Sequence, residues 1–239
     1  MKKLFCIAAV ATLFAAPTLA QDEIVVTGQR ISSDYADDIG PVNSFPVVEI
    51  SRRADNLIVA VRVVNDTRDA VERRNEITQT LRALVRSAGG RADIDLSIEE
   101  DGALVPLTED MVSSLTLGAD SMRADTSVAT LIAKTPVREN DTLDAASGRL
   151  EGFVRSATRA GRSLVEIYGS WQLTLINPPQ YRPAILAAIA ADARSTAAAF
   201  GEGYAVEVSG LSSRVAWRQS GPLDLSLYVP YSMTITPRP

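Results

Sequence analysis

The chain has 239 residues, 46% of them hydrophobic, enough to bury a substantial core in one large or two small domains. It has no histidine and a single cysteine, Cys6, so no intrachain disulfide, Cys/His zinc site or histidine general base can be built from it. With 24 basic against 29 acidic side chains the net charge is −5, which argues against nucleic acid or anionic lipid as partners, because both reward clustered positive charge.

Met1-Lys2-Lys3, the apolar run from Leu4 to Phe14 and the stretch Ala16-Pro17-Thr18-Leu19-Ala20 have the charged, apolar and small-residue thirds of a signal peptide over residues 1–20. Thr18 and Ala20 stand at the cleavage positions, and a periplasmic protein is the expectation. Cys6 has no small-residue lipobox before it, so it reads as an apolar residue of a discarded leader rather than a lipid anchor. Clipping after Ala20 leaves about 219 residues with no cysteine, one lysine (Lys134) against 21 arginines, and 22 basic against 29 acidic groups, a net of −7. No later apolar run reaches the roughly 18 to 20 residues that a membrane-spanning helix needs.

Residues 21–45 read as a flexible arm and linker: a short β-prone run from Glu23 to Thr27, then the polar, turn-rich Ser32 to Pro41. From Asn56 the texture changes. Leu57, Val59, Val61 and Val63 alternate with Ile58, Ala60, Arg62 and Val64, which predicts a strand buried on one face and partly on the other. Asp66 or Thr67 is the expected cap of the next helix, which carries Ile77, Leu81, Leu84, Val85 and Ala88 on one stripe and stops at Gly89-Gly90. The charges from Arg68 to Glu76 read as its solvated face. Ile94, Leu96 and Ile98 then alternate with Asp93, Asp95 and Ser97, and Asp101-Gly102 turns the chain into Ala103 to Leu107 as a hairpin.

Residues 108–126 show little patterning and are read as a long excursion. Ser127 to Thr135 resumes a strand ending at Pro136, and Glu139 to Thr142 offers caps for a helix carrying Leu143, Ala146, Leu150, Phe153 and Ala157, with Gly161 just beyond its end. Gly148 and Gly152 weaken that helix by roughly 1 kcal/mol each unless they allow a close approach, and close packing is expected there. Val165, Ile167, Trp171, Leu173 and Leu175 share one parity of a long strand that Asn177-Pro178-Pro179 ends. An alanine-rich helix runs from near Tyr181 to Phe200 and is stopped by Gly201. Tyr204, Val206 and Val208 lead through Gly210 to Val215 and Trp217, and Ser220-Gly221-Pro222 turns the chain. The alternation from Leu223 to Ile235 then predicts one antiparallel strand with a wet face, lying at an edge or bulged at Pro230.

Strand, helix, strand, tight turn, strand is the order of Leu57 to Leu107 and again of Ser163 to Ile235, with no residue-level repeat between them. That order predicts an α+β fold, antiparallel sheets with helices packed on one face, over residues 46–236, divisible into halves at about 46–125 and 127–236. Ala54-Asp55 entering a strand, the charged helix ending in Gly-Gly, the helix Arg182 to Phe200 and the closing Tyr204-Ala-Val-Glu-Val-Ser-Gly210 with its long final β-segment resemble the SIMPL-domain family of bacterial envelope proteins. The resemblance implies a periplasmic or outer-membrane-associated α+β protein without an assigned enzymatic activity, from a family with members that form ring-like oligomers and are linked to stress tolerance. A homo-oligomer is therefore the expected partner state. Family members commonly open with a strand and Gly-x-Gly close before this Asp step. Here a long polar insert separates Thr27-Gly28 from Asp55, and Pro46 to Ser51 fills the first-strand role.

The run Glu23, Ile24, Val25, Val26, Thr27 up to Arg30 also looks like the mature N-terminus of TonB-dependent outer-membrane receptors, where an extended arm adds a strand to TonB. It reads either as a docking arm for a TonB-like envelope protein or as an ordinary strand. Tyr228, placed on the wet face of the last strand, is a further candidate contact residue. The carboxylates Asp93, Asp95, Glu99, Glu100 and Asp101 lack the spacing of a calcium loop and read as a wet strand face. Lys134 reads as a solvated residue rather than a general base, since no motif ties a serine to it. No catalytic residue, cofactor or metal ligand is assigned, and the expectation is a non-enzymatic protein acting by binding or assembly.

Overall fold

The computed structural model describes residues 23–26, 46–100, 103–120 and 123–238. Its strands are β1 (Glu23–Val26), β2 (Ile50–Arg53), β3 (Asn56–Asn65), β4 (Asp95–Glu100), β5 (Ala103–Pro106), β6 (Gly118–Asp120), β7 (Arg123–Pro136), β8 (Leu164–Ile176), β9 (Tyr204–Ser209), β10 (Ala216–Gln219), β11 (Asp224–Tyr228) and β12 (Ser232–Pro237). Its helices are α1 (Ala70–Gly89), α2 (Leu143–Arg155) and α3 (Arg182–Phe200). The fold is α+β, and its strand pairings are antiparallel. The segment 1–20 read as a signal peptide, Thr27 and the stretch up to residue 45 read as a linker lie outside the described residues, as does the expected turn at Asp101-Gly102, whose flanking strands pair as a hairpin, Glu100 opposite Ala103.

β3 is the spine. Its ten residues pair along their full length with β7, from Asn56 opposite Pro136 to Asn65 opposite Ser127, and on the other side with β8. The seven-stranded sheet runs β1-β8-β3-β7-β4-β5, with β6 also paired to β7. Between Ile58 and Ala60 the β8 register shifts, and Gly169 takes φ +81 in the bulge, a backbone conformation that side chains with a Cβ resist. The boundary near residue 126 between the two expected halves falls inside β7, so both halves build one sheet. The strands following α1 stay in that sheet, whereas those following α3 leave it for others, so the two similar element orders do not fold as a repeat.

Val59, Val61 and Val63 of β3 face Ile77, Leu81 and Leu84 of α1 and Leu150 and Phe153 of α2 in the first core. Leu57, Leu173 and Leu175 continue that face into a second core with Ile185 and Ile189 of α3 and Leu225 and Leu227 of the three-stranded sheet β10-β11-β2. Trp171 packs against both cores. The excursion over 108–126 contains a 3₁₀ turn, Met111–Ser114, whose Val112 joins the first core, as well as β6.

Several expectations are corrected. α1 is capped by Asp69, whose carboxylate accepts from Glu72 N–H at 2.8 Å; Asp66 and Thr67 are held elsewhere by arginine and Glu76. Thr142 caps α2 as expected, but Gly148 and Gly152 face solvent, and a Cβ at either position would meet nothing within 4 Å, so they serve no close packing. Gly161 lies past the helix end in a separate turn at φ +52. The long final strand is two: β11 is central in the three-stranded sheet, and β12 pairs with β9 in a separate two-stranded sheet. The register explains this, because β9 and β10 run antiparallel to β12 and β11 as one ribbon broken where Gly210, at φ +85, lies against the Pro230 carbonyl. Pro230 has no N–H to continue the ladder, so the ribbon changes sheets there.

Candidate functional site

The polar side chains of the described residues are largely committed to one another. Every buried side-chain nitrogen and oxygen among the described residues has a hydrogen-bond partner. At one end of the large sheet, buried Asn65 donates to Glu76 Oε2 at 2.8 Å and to Ser163 Oγ at 3.0 Å, and its own Oδ1 accepts from Thr67 N–H. Thr67 Oγ1 and the Arg162 N–H also donate to Glu76 Oε2, at 2.6 and 3.1 Å. These donors, the Thr67 hydroxyl first, hold the Glu76 carboxyl below its usual range. The carboxyl occupies the place a Cβ at Gly161 would take, 1.9 Å from it, so this turn requires glycine both for its φ and for space. Beside it Asp66 accepts from Arg162 at 2.6 and 3.0 Å and from Arg123 at 3.1 Å, and the Arg162 hydrogen bond leads in lowering its pKa to about 2.

A second cluster surrounds a shallow depression of about 330 Å³ lined by Arg53, Asp141, Thr142, Asp144 and Asp224, among others. Arg149 holds Asp141 bidentately at 3.0 and 2.6 Å and donates to the Thr135 hydroxyl and the Pro136 carbonyl. That pairing is the main cause of an Asp141 pKa of about 2. Arg53 donates to the carbonyls of Arg138 and Asp141. Arg182 likewise binds the carbonyls of Leu211 and Ser213. The abundance of arginine, which composition alone ascribes to nothing specific, is thus used to clip loops: a planar guanidinium satisfies two acceptors at once where a lysine offers a point charge. Sequence reasoning has no handle on this use, since each arginine and its acceptors are brought together only by the fold.

The residues singled out from sequence are scattered. Glu23, Ile24, Val25 and Val26 form β1, which pairs with β8 from Glu23 opposite Ile176 to Val26 opposite Leu173. Docking of this run onto a TonB-like partner would therefore require its release from β8. Tyr228 is 8% exposed at the end of central β11, and burial pushes its hydroxyl pKa up. The expectation that it faces outward is corrected: β11 is covered on both faces, so Ser226 and Tyr228 are buried along with Leu225 and Leu227. Lys134 is half-buried rather than solvated and lies 4.0 Å from Asp95 across the β4–β7 pairing. Among the described residues no group of three His, Cys, Asp or Glu is placed to hold a metal ion, and no helix is long and apolar enough to cross a membrane.

What stands out instead is apolar surface. Ile185 and Ile189 are the fully buried side chains of α3; from Ala190 to Phe200 none is. That stretch is nevertheless rich in alanine and ends in Phe200, 53% exposed, whose ring meets Tyr204 edge-on at 6.1 Å between centroids. β9, packed beside it, and β12, which pairs with β9, also contain no fully buried residue; Val206, Val208, Met233 and Ile235 are half-covered. A second surface lies on the face of the large sheet opposite α1 and α2. There Arg62 pairs with Asp120 and Glu166 and lies over the Tyr168 ring at 5.6 Å, with Leu164 and Tyr168 both exposed. No protein-family model, curated protein or solved structure matches this chain.

Proposed function

We propose that this is a non-enzymatic, exported envelope protein of the SIMPL type that acts by assembling with copies of itself. The observation that carries the reading is the lobe made by Ala190 to Phe200 of α3 with β9 and β12, in which no side chain is fully buried. A two-stranded sheet is marginal in water by itself, and the alanines and exposed Phe200 beside it leave apolar surface uncovered. Both needs are met if the lobe packs against another copy, whose matching surface is equally apolar. The signal-peptide pattern of residues 1–20 supports export, and the order of elements from Ala54 to Ile235 supports the family likeness. Stress tolerance of the envelope is the role the likeness suggests.

Light scattering on the size-separated chain tests the reading. A discrete oligomer at micromolar concentration is the expected result. A monomer at every concentration up to about 1 mM, the weak limit of specific association, overturns it.

A further inference from the structure

We propose that β1 is an exchangeable strand: in the assembled protein, Glu23–Val26 of one copy occupies the β8 edge of a neighbouring copy. The inference rests on the assembly reading above and deepens it by naming the segment that passes between copies.

The acceptor is the edge of β8. β1 pairs with that strand over Leu173 to Ile176 and β3 pairs with its other side as far as Thr174, and Leu173, Thr174 and Leu175 are among the least exposed of the described residues, at 2%, 0% and 0%. Backbone donors and acceptors along that edge need partners, because buried peptide groups left unpaired are costly. The β8 edge therefore requires a strand, but nothing in the requirement specifies which chain provides it.

The donor is held lightly. β1 is four residues long, ends the strand order of the sheet and pairs with β8 as its strand neighbour. Short edge segments joined by a few backbone bonds open at much lower free energy than core strands. The tether is long. Nineteen residues, 27–45, separate Val26 from Pro46, beyond which Val48 packs against the second core and Glu49 pairs with Arg218. Nineteen residues can span at most about 65 Å, more than the radius of gyration of about 17 Å expected for a domain of this size. The tether's length lets β1 reach a neighbour's edge as well as its own.

Exchange swaps identical contacts, so its free-energy cost is small and is set by local concentration. In a lone monomer β1 and β8 belong to one chain, and pairing stays within it. Copies already packed through the α3 lobe raise the local concentration of the neighbour's edge. The complementarity needed is already displayed in the register of β1 on β8, which a second copy reproduces without any new surface.

The single native cysteine makes a clean test possible. In a Cys6→Ser background, Glu23→Cys and Ile176→Cys place one thiol on each strand at directly opposed positions, and Ile176 is only half-buried, so its replacement is tolerated. The full-length double variant, oxidised when dilute, is expected to close an intrachain bond; failure to form any crosslink shows that β1 does not pair with β8 and overturns the proposal. The two single variants, carrying tags of different size, are then mixed at a concentration where light scattering shows the oligomer, and oxidised. A heterodimeric covalent adduct that grows with concentration is expected. An assembled mixture giving no such adduct, while the double variant closes within its own chain, overturns exchange and leaves assembly standing. A mixture that never assembles defeats the assembly reading, and exchange with it.

Discussion

α1 and the second half of α3 are both regular helices, yet they meet solvent in opposite ways. α1 buries Ile77, Thr80, Leu81, Leu84 and Ala88 on one stripe and exposes Glu72, Arg74, Gln79 and Arg86 on the other. From Ala190 onward α3 has no such division: alanines lie on every side of it, and no side chain is fully buried. The first arrangement is complete within one chain, because its apolar stripe matches the sheet beneath it. The second leaves its alanines and Phe200 open to solvent, and it is the surface that the proposed assembly would cover. The disagreement between composition and burial in this helix is what the assembly proposal rests on.

Breaking the first region has the largest expected effect. Leu81→Ala removes a fully buried side chain between α1 and β3 and is expected to cost about 2–5 kcal/mol, read as a lowered denaturant midpoint, whatever the association state. A loss under about 1 kcal/mol would show that the α1 stripe is not a tightly packed core.

Gly161→Ala comes next. The residue sits at φ +52 with the Glu76 carboxyl 1.9 Å from its Cβ position, and that carboxyl is tied down by Asn65, Thr67 and Arg162. A loss of about 1–3 kcal/mol is expected, smaller in a chain that also carries Glu76→Ala, where the space is free. Equal losses in both backgrounds would remove the steric account.

Acid sharpens the comparison further. Asp66 and Asp141 have folded-state pKa values of about 2 against an ordinary 3.8, so each contributes stability that is fully present above about pH 4 and is lost as pH falls towards 2. Both lie in the large-sheet region rather than the α3 lobe. Melting temperature is therefore expected to fall through this window, with a shallower fall in Asp141→Asn. An unchanged acid slope in that variant would contradict the Arg149 pairing as its cause.

The smallest effect on stability falls in the lobe. Phe200→Ser, at an exposed position, is expected to change the unfolding free energy by about 0.5 kcal/mol or less while abolishing the oligomer seen by light scattering. A variant that assembles like the parent would move the contact elsewhere, with the exposed Leu164 and Tyr168 on the open sheet face as the next surface to alter.

Much of the fold was legible in the chain's local patterns. Alternation over Leu57 to Val64, the stripe from Ile77 to Ala88, the Thr142 cap and the Gly201 stop are local signals, each set by the period of a strand or helix or by the needs of its ends. The candidate surfaces were much less legible. The β-propensity of Glu23 to Val26 is visible in sequence, but its pairing with β8 joins residues about 150 positions apart. Tyr228 illustrates the same limit, since alternation states which residues share a face and not whether that face is covered.

The amino-acid sequence alone determined the class of the fold, the Thr142 cap, the stops at Gly90 and Gly201, and the lack of histidine and of any cysteine but Cys6, because these depend on neighbours along the chain or on composition. Only the tertiary structure decided that the ribbon from Leu223 to Ile235 splits at Pro230, that arginines clip loops together, and that the end of α3 is left without a core. Those outcomes depend on which distant surfaces meet. Burial and hydrogen-bond satisfaction are properties of the packed molecule, and no local pattern encodes them.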